Sequence, residues 1–126
     1  MGFKSFEEIE AWKEARILMQ RIRKICKLPK VKHEFHWIDQ ITRAALSIMA
    51  NIAEGNDANT NAEFVSFLGY AKRSSTEVRS HLYYALDEGY ISQEEFEEIS
   101  NQAKKIASQL FHLIKYLKNN SKNSRI

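Results

Sequence analysis

Apolar residues recur at alternating three- and four-residue spacing along almost the whole chain, the period of helices that bury one face. Four such segments stand out, at about 5–27, 34–54, 61–88 and 92–118, separated by short stretches carrying Pro, Gly, Asn or Asp. The pattern predicts an all-α fold, a four-helix bundle over residues 1–119. The polar, unpatterned tail 120–126 is expected to be disordered.

The second segment organises the rest. On a helix, Ile38, Ile41, Ala45, Ile48 and Ile52 form one apolar stripe, which Leu46, Met49 and Ala53 widen. Opposite runs a narrow row, Gln40, Arg43, Ser47, Asn51 and Glu54, with only two charges. This fits either a helix enclosed on most sides, within the bundle or by another subunit, or an ordinary amphipathic helix with a thin polar face. Gly55 is expected to end the helix with positive φ.

The third segment carries the stripe Phe64, Leu68, Ala71, Ser75, Val78, Leu82 and Ala85, and beside it a mixed row of Phe67, Tyr70, Ser74, Glu77, His81 and Tyr84. Counting back from a turn near Ala58 puts Arg43 beside Arg73 and Ser74, within reach of Glu77. Gln40, Arg43, Ser47, Asn51, Glu54, Tyr70, Ser74 and Glu77 therefore read as a polar seam, either inside the subunit or at a subunit interface. The fourth segment repeats Phe96, Ile99, Ala103, Ile106, Leu110, Leu113 and Leu117 without a miss. In the first, Trp12, Ala15, Met19, Ile22 and Cys26 form the seam, flanked by Ile9, Leu18 and Ile25, until Leu28-Pro29 stops it. Ser5 with Glu8, Thr60 with Glu63, and Ser92 with Glu95 have capping-box spacing.

Charge adds one local feature. Nineteen basic against sixteen acidic residues leave a formal net charge of only +3, too little by itself to specify a polyanion partner. Between Lys13 and Lys32, however, Glu14 is the one acidic residue among eight cations. Within this segment Arg21, Arg23, Lys24, Lys27, Lys30 and Lys32 are the candidate phosphate contacts, against the plainer reading that they complement a helix C-terminus. The acidic start of the fourth helix, Glu94 to Glu98, should lie at the same bundle end and face them, within one chain or between subunits.

Catalytic chemistry finds little support. His33, Glu34 and His36 stand at HExH spacing, which cannot set both imidazoles and the carboxylate in the i, i+4 arrangement of a zinc helix. Arg43 with Glu77 lacks a nucleophile or metal. No catalytic residue, metal or cofactor is expected, and the protein reads as a non-enzyme. The single Cys26 cannot form an internal disulfide, and no apolar run approaches a membrane span or a signal-peptide core. A cytoplasmic protein with no membrane partner is expected.

Gln40, Arg43-Ala44-Ala45, Ser47-Ile48, Asn51-Ile52-Ala53-Glu54-Gly55, Glu63-Phe64, Phe67-Leu68, Ala71, Ser74, Glu77 and Gly89-Tyr90-Ile91 together resemble a known family. It comprises the four-helix bundle proteins encoded in intervening sequences of bacterial 23S ribosomal RNA genes, and the resemblance covers nearly the whole chain. It implies an up-and-down bundle that assembles into a ring, commonly a homopentamer, without established enzymatic activity. Relatives include the accessory variability proteins of diversity-generating retroelements, basic rings that partner a reverse transcriptase and nucleic acid. The chain departs from the pattern at Met49, where many members have proline; at Asn56-Asp57, in place of Gly-Arg-like residues; and at Arg73, where glycine usually precedes the serine. The expected function is a non-enzymatic, ring-forming bundle that binds RNA or DNA or a nucleoprotein partner. The alternatives are a protein-interaction assembly without nucleic-acid affinity, or an accessory subunit of a reverse transcriptase.

Overall fold

The first turn of the chain is not part of the first helix. Ser5 opens a single 3-10 turn, Phe6–Glu8, without a side-chain cap bond. Glu8 instead accepts from the Lys4 backbone amide at 2.8 Å. Ile9 then takes an extended conformation, and α1 spans Glu10–Cys26. The Ser5–Glu8 spacing thus braces a lead-in turn, whose Phe6 ring packs edge-on to Trp12 with centroids 4.9 Å apart. The computed structural model describes residues 3–120, so most of the expected tail, 121–126, lies outside the described residues.

The other helices follow as α2 (Phe35–Asn56), α3 (Asn61–Asp87) and α4 (Gln93–Asn119). Thr60 Oγ1 accepts from the Glu63 amide at 3.1 Å to start α3. Ser92 and Glu95 form the full reciprocal box that starts α4. Gly89, at φ +75°, makes the corner between α3 and α4, where a side chain would be strained.

Each helix packs against its neighbour in the chain and α4 closes back on α1, while the diagonal pairs make no close backbone contact among the described residues. This is the up-and-down bundle. The α2–α3 and α3–α4 seams are the broadest, and α1 is joined by narrower ones. Every expected position of the α3 stripe from Phe64 to Ala85 is buried, as is the α4 stripe apart from the partly buried Leu113. On α1 the inward line is Ala11, Ala15, Leu18, Ile22 and Ile25 with Cys26, while Trp12 and Met19 are only partly buried. The late start at Glu10 accompanies this shift of the seam.

Gly55 overturns its expected role. It lies inside α2, which runs on to Asn56, and among the described residues only Gly89 has positive φ. A Cβ at Gly55 would come within 2.8 Å of Phe64 Cδ1 and 2.9 Å of Phe67 Cβ. Glycine is needed there so that α3 can approach closely, not to terminate the helix. At the same end, buried Asn61 donates to the Asn120 carbonyl at 2.9 Å, tying the start of α3 to the end of α4. Asn120, assigned to the tail by its sequence, thus belongs to the bundle.

Candidate nucleic-acid interface

The α1–α2 linker, from Lys27 to Glu34, crosses the bundle end where α4 begins. Proline at 29 prevents α1 from continuing, and the buried Val31 anchors the crossing. Of the six candidate phosphate contacts, two are already engaged. Arg21 donates to Gln102 Oε1 at 3.0 Å and to Glu98 at 3.1 Å, joining α1 to α4. Arg23 donates to Thr42 Oγ1 on α2 at 3.2 Å. Lys24, Lys27, Lys30 and Lys32 are exposed, and among the described residues their side chains make no ion pair or hydrogen bond. The expected meeting of the α1 cations with the acidic start of α4 therefore occurs within one chain. It uses Arg21 and leaves four lysines free.

Beneath these lysines the thiol of Cys26 is buried, and burial pushes it above the usual cysteine range against the opposing Arg23 charge. It is a packing residue rather than a reactive one.

The polar row sorts into four parts. Ser47, Asn51 and Ser74 form a seam between α2 and α3 inside the subunit. Ser74 Oγ lies 2.9 Å from Ser47 Oγ and 3.1 Å from the Tyr70 carbonyl, and Asn51 Nδ2 donates to the Ser47 carbonyl at 2.8 Å. Ser74 thus meets Ser47 rather than Arg43, a register one turn away from the one counted from the loop. The expected Arg43–Glu77 pair does not form: Arg43 binds Asp39 at 3.0 Å within α2, and Glu77 meets His81 at 3.2 Å within α3. Local i, i+4 partners were available to both at little entropic cost. Glu54 and Tyr70 are exposed, the latter beneath the Arg73 guanidinium at 4.7 Å.

Gln40, the last member, lines a cleft that the sequence pattern does not announce. This opening of about 630 Å³ is bounded by His33, Glu34, Phe35, His36, Trp37, Gln40, His81 and Tyr84. Its floor is rigid. Trp37 is buried, donates from Nε1 to the His81 carbonyl at 3.0 Å, and packs edge-on to Tyr90 with centroids 5.2 Å apart. Tyr90 in turn donates its hydroxyl to the Glu34 carboxylate. Burial first, and then that carboxylate, hold the Tyr90 phenol well above its ordinary range. The residue run from His33 to Trp37 is visible in the sequence, but no periodicity in a linker signals a cleft.

No group of three or more His, Cys, Asp or Glu suited to a metal ion occurs among the described residues. No helix there is long and apolar enough to cross a membrane.

Comparison with known proteins supplies the family. Residues 7–112 match the sequence profile of the 23S rRNA-intervening sequence proteins. The chain belongs to that family. A crystal structure from Bacteroides thetaiotaomicron, described as a protein of unknown function from the S23 ribosomal protein family, is 30% identical to it. The alignment covers 83% of this chain and 98% of that one, with a TM-score of 0.77. Comparison with curated proteins gives no match. The bundle described above is thus shared by an intervening-sequence protein and a solved S23 relative, and the function of that relative is described as unknown.

Proposed function

We propose that this intervening-sequence protein is a non-enzymatic helical bundle that binds nucleic acid through the basic end formed by α1 and the α1–α2 linker. The observation that carries this reading is the set of four unpartnered lysines, Lys24, Lys27, Lys30 and Lys32, on a surface where Arg21 and Arg23 are already committed to the fold. Unpaired, solvent-facing ammonium groups are free to replace the counterions of a phosphate backbone.

Self-association into a ring, a homopentamer by resemblance, is part of the same proposal. Leu46 on α2, Tyr70 on α3 and Phe111 on α4 are about half exposed and offer apolar contacts on the flanks. A ring would repeat a modest patch several times, so that small charge per chain gives useful avidity. A purely protein-protein assembly is the second reading, favoured by those same exposed side chains.

The test is anisotropy of labelled structured RNA and duplex DNA across a salt series, with assembled mass followed by light scattering. Binding should weaken linearly on a log-log salt plot. Changing Lys24, Lys27 and Lys30 to Ala should flatten the slope by about one for each phosphate no longer neutralised, while leaving the mass unchanged. An intact assembly that binds neither probe at low salt would sink the nucleic-acid reading and leave the protein assembly.

A further inference from the structure

We infer that the cleft beside the α1–α2 linker receives an unpaired base of a single-stranded or bulged nucleic acid whose phosphates lie on the linker lysines. The inference rests on the nucleic-acid reading above and names the form of the ligand.

The cleft is built unlike a leftover of packing. Phe35 opens α2 with 70% of its surface exposed, its ring edge-on to that of His33 with centroids 6.0 Å apart. Tyr84 on α3 presents a second half-exposed ring to the same space. Two aromatic faces bordering one cleft suit a flat π-system, which every nucleobase has. The opening of about 630 Å³ lies within the range of about 300–1,000 Å³ usual for ligand sites.

The polar groups fit the same ligand. Gln40 is half-buried and its amide makes no hydrogen bond among the described residues, so one donor group and one acceptor remain for a base edge. The Trp37 indole N–H is already used on the His81 carbonyl, which fixes the floor. The Glu34 carboxylate is partly satisfied by the Tyr90 hydroxyl. Lys30 and Lys32 stand in the linker that runs directly into His33, so a backbone entering the cleft would meet free cations first. A neutral apolar ligand would make no use of those lysines. A paired duplex cannot supply the base, because its bases are stacked and its edges turned into the grooves.

The experiment uses the full chain with Trp12→Phe, leaving Trp37 as the single indole of the two in the sequence. It is titrated with a labelled blunt RNA duplex, the same duplex carrying a one-nucleotide bulge, and a single strand of matching length. Anisotropy reports binding and Trp37 emission reports occupancy of the cleft. The bulged and single-stranded probes should bind about ten-fold more tightly than the blunt duplex and quench Trp37. Phe35→Ala and Tyr84→Ala should remove both the preference and the quenching while leaving duplex binding in place. Both side chains are exposed, and an unchanged circular dichroism melt confirms that the fold is intact. Equal affinity for all three probes with Trp37 emission unchanged would overturn the inference and leave the nucleic-acid reading standing. Absence of binding to any probe would overturn both.

Discussion

Trp37 and His81 are joined by a hydrogen bond of 3.0 Å from the indole N–H to a backbone carbonyl. It locks the first turn of α2 to the last third of α3 at the bundle end that carries the cleft. Trp37→Phe keeps most of the apolar contact and loses the bond, which should cost about 0.5–1.5 kcal/mol in urea unfolding. Trp37→Ala also empties a buried site and should cost about 3–5 kcal/mol. A Trp37→Phe variant as stable as the parent would show that the bond carries no separate weight.

Gly55 permits a close approach between α2 and α3. Gly55→Ala would add a Cβ 2.8 Å from Phe64 Cδ1, where the ring is fully buried and cannot swing away. The expected outcome is a loss of about 1–3 kcal/mol by thermal or denaturant unfolding, despite the better helix propensity of alanine. Gly69 is the control. A Cβ there meets nothing within 4 Å, so Gly69→Ala should stabilise the chain by about 0.5–1 kcal/mol.

Arg21 and Glu98 pair at 3.1 Å with both side chains more than a third exposed. A double-mutant cycle to alanine should give a coupling of only about 0.2–1 kcal/mol, falling as salt is added. Coupling well above that range would mean that the Gln102 bond to the same guanidinium acts with the pair as one network.

Tyr90 gives the bundle a sensitivity to alkali. Its phenol is held protonated in the native state by burial and by the Glu34 carboxylate, whereas the unfolded chain releases that proton near pH 10. The contribution is present in full below the unfolded value and is lost as pH rises toward the higher native one. Stability should therefore fall more steeply above pH 10 in the parent than in Tyr90→Phe. Parallel pH profiles for the two proteins would remove Tyr90 as the source.

Much of this arrangement is legible in the residue pattern, and where it is not the causes are local. The inward faces of α3 and α4 can be read residue by residue, because long helices with strict three-four alternation have one way to bury it. The start of α1 escapes such a reading because Ser5–Glu8 has the spacing of a capping box and yet closes a 3-10 turn. The partner of Arg43 escapes it because counting along a hairpin ranks Glu77 above Asp39, although Asp39 stands four residues away on the same helix. Of the six basic candidates, sequence cannot separate Arg21 and Arg23 from the lysines, since only packing shows which cations already have partners. The cleft depends on Phe35 and Tyr84 lining one opening from two helices, a relation that no single segment encodes.

The unequal seams of the bundle give the chain an order of release. α2, α3 and α4 are consecutive, joined by short turns and packed along the two broadest seams, whereas α1 is held along the narrower ones and led in by a lone 3-10 turn. α1 is thus the detachable stave of the barrel, and native-state hydrogen exchange should find its amides opening before those of α3. Because Lys24 lies on α1 and Lys27 caps its end, any loosening of that helix would carry those two cations away from the cleft, so the full basic surface stays in register with it only while α1 is seated.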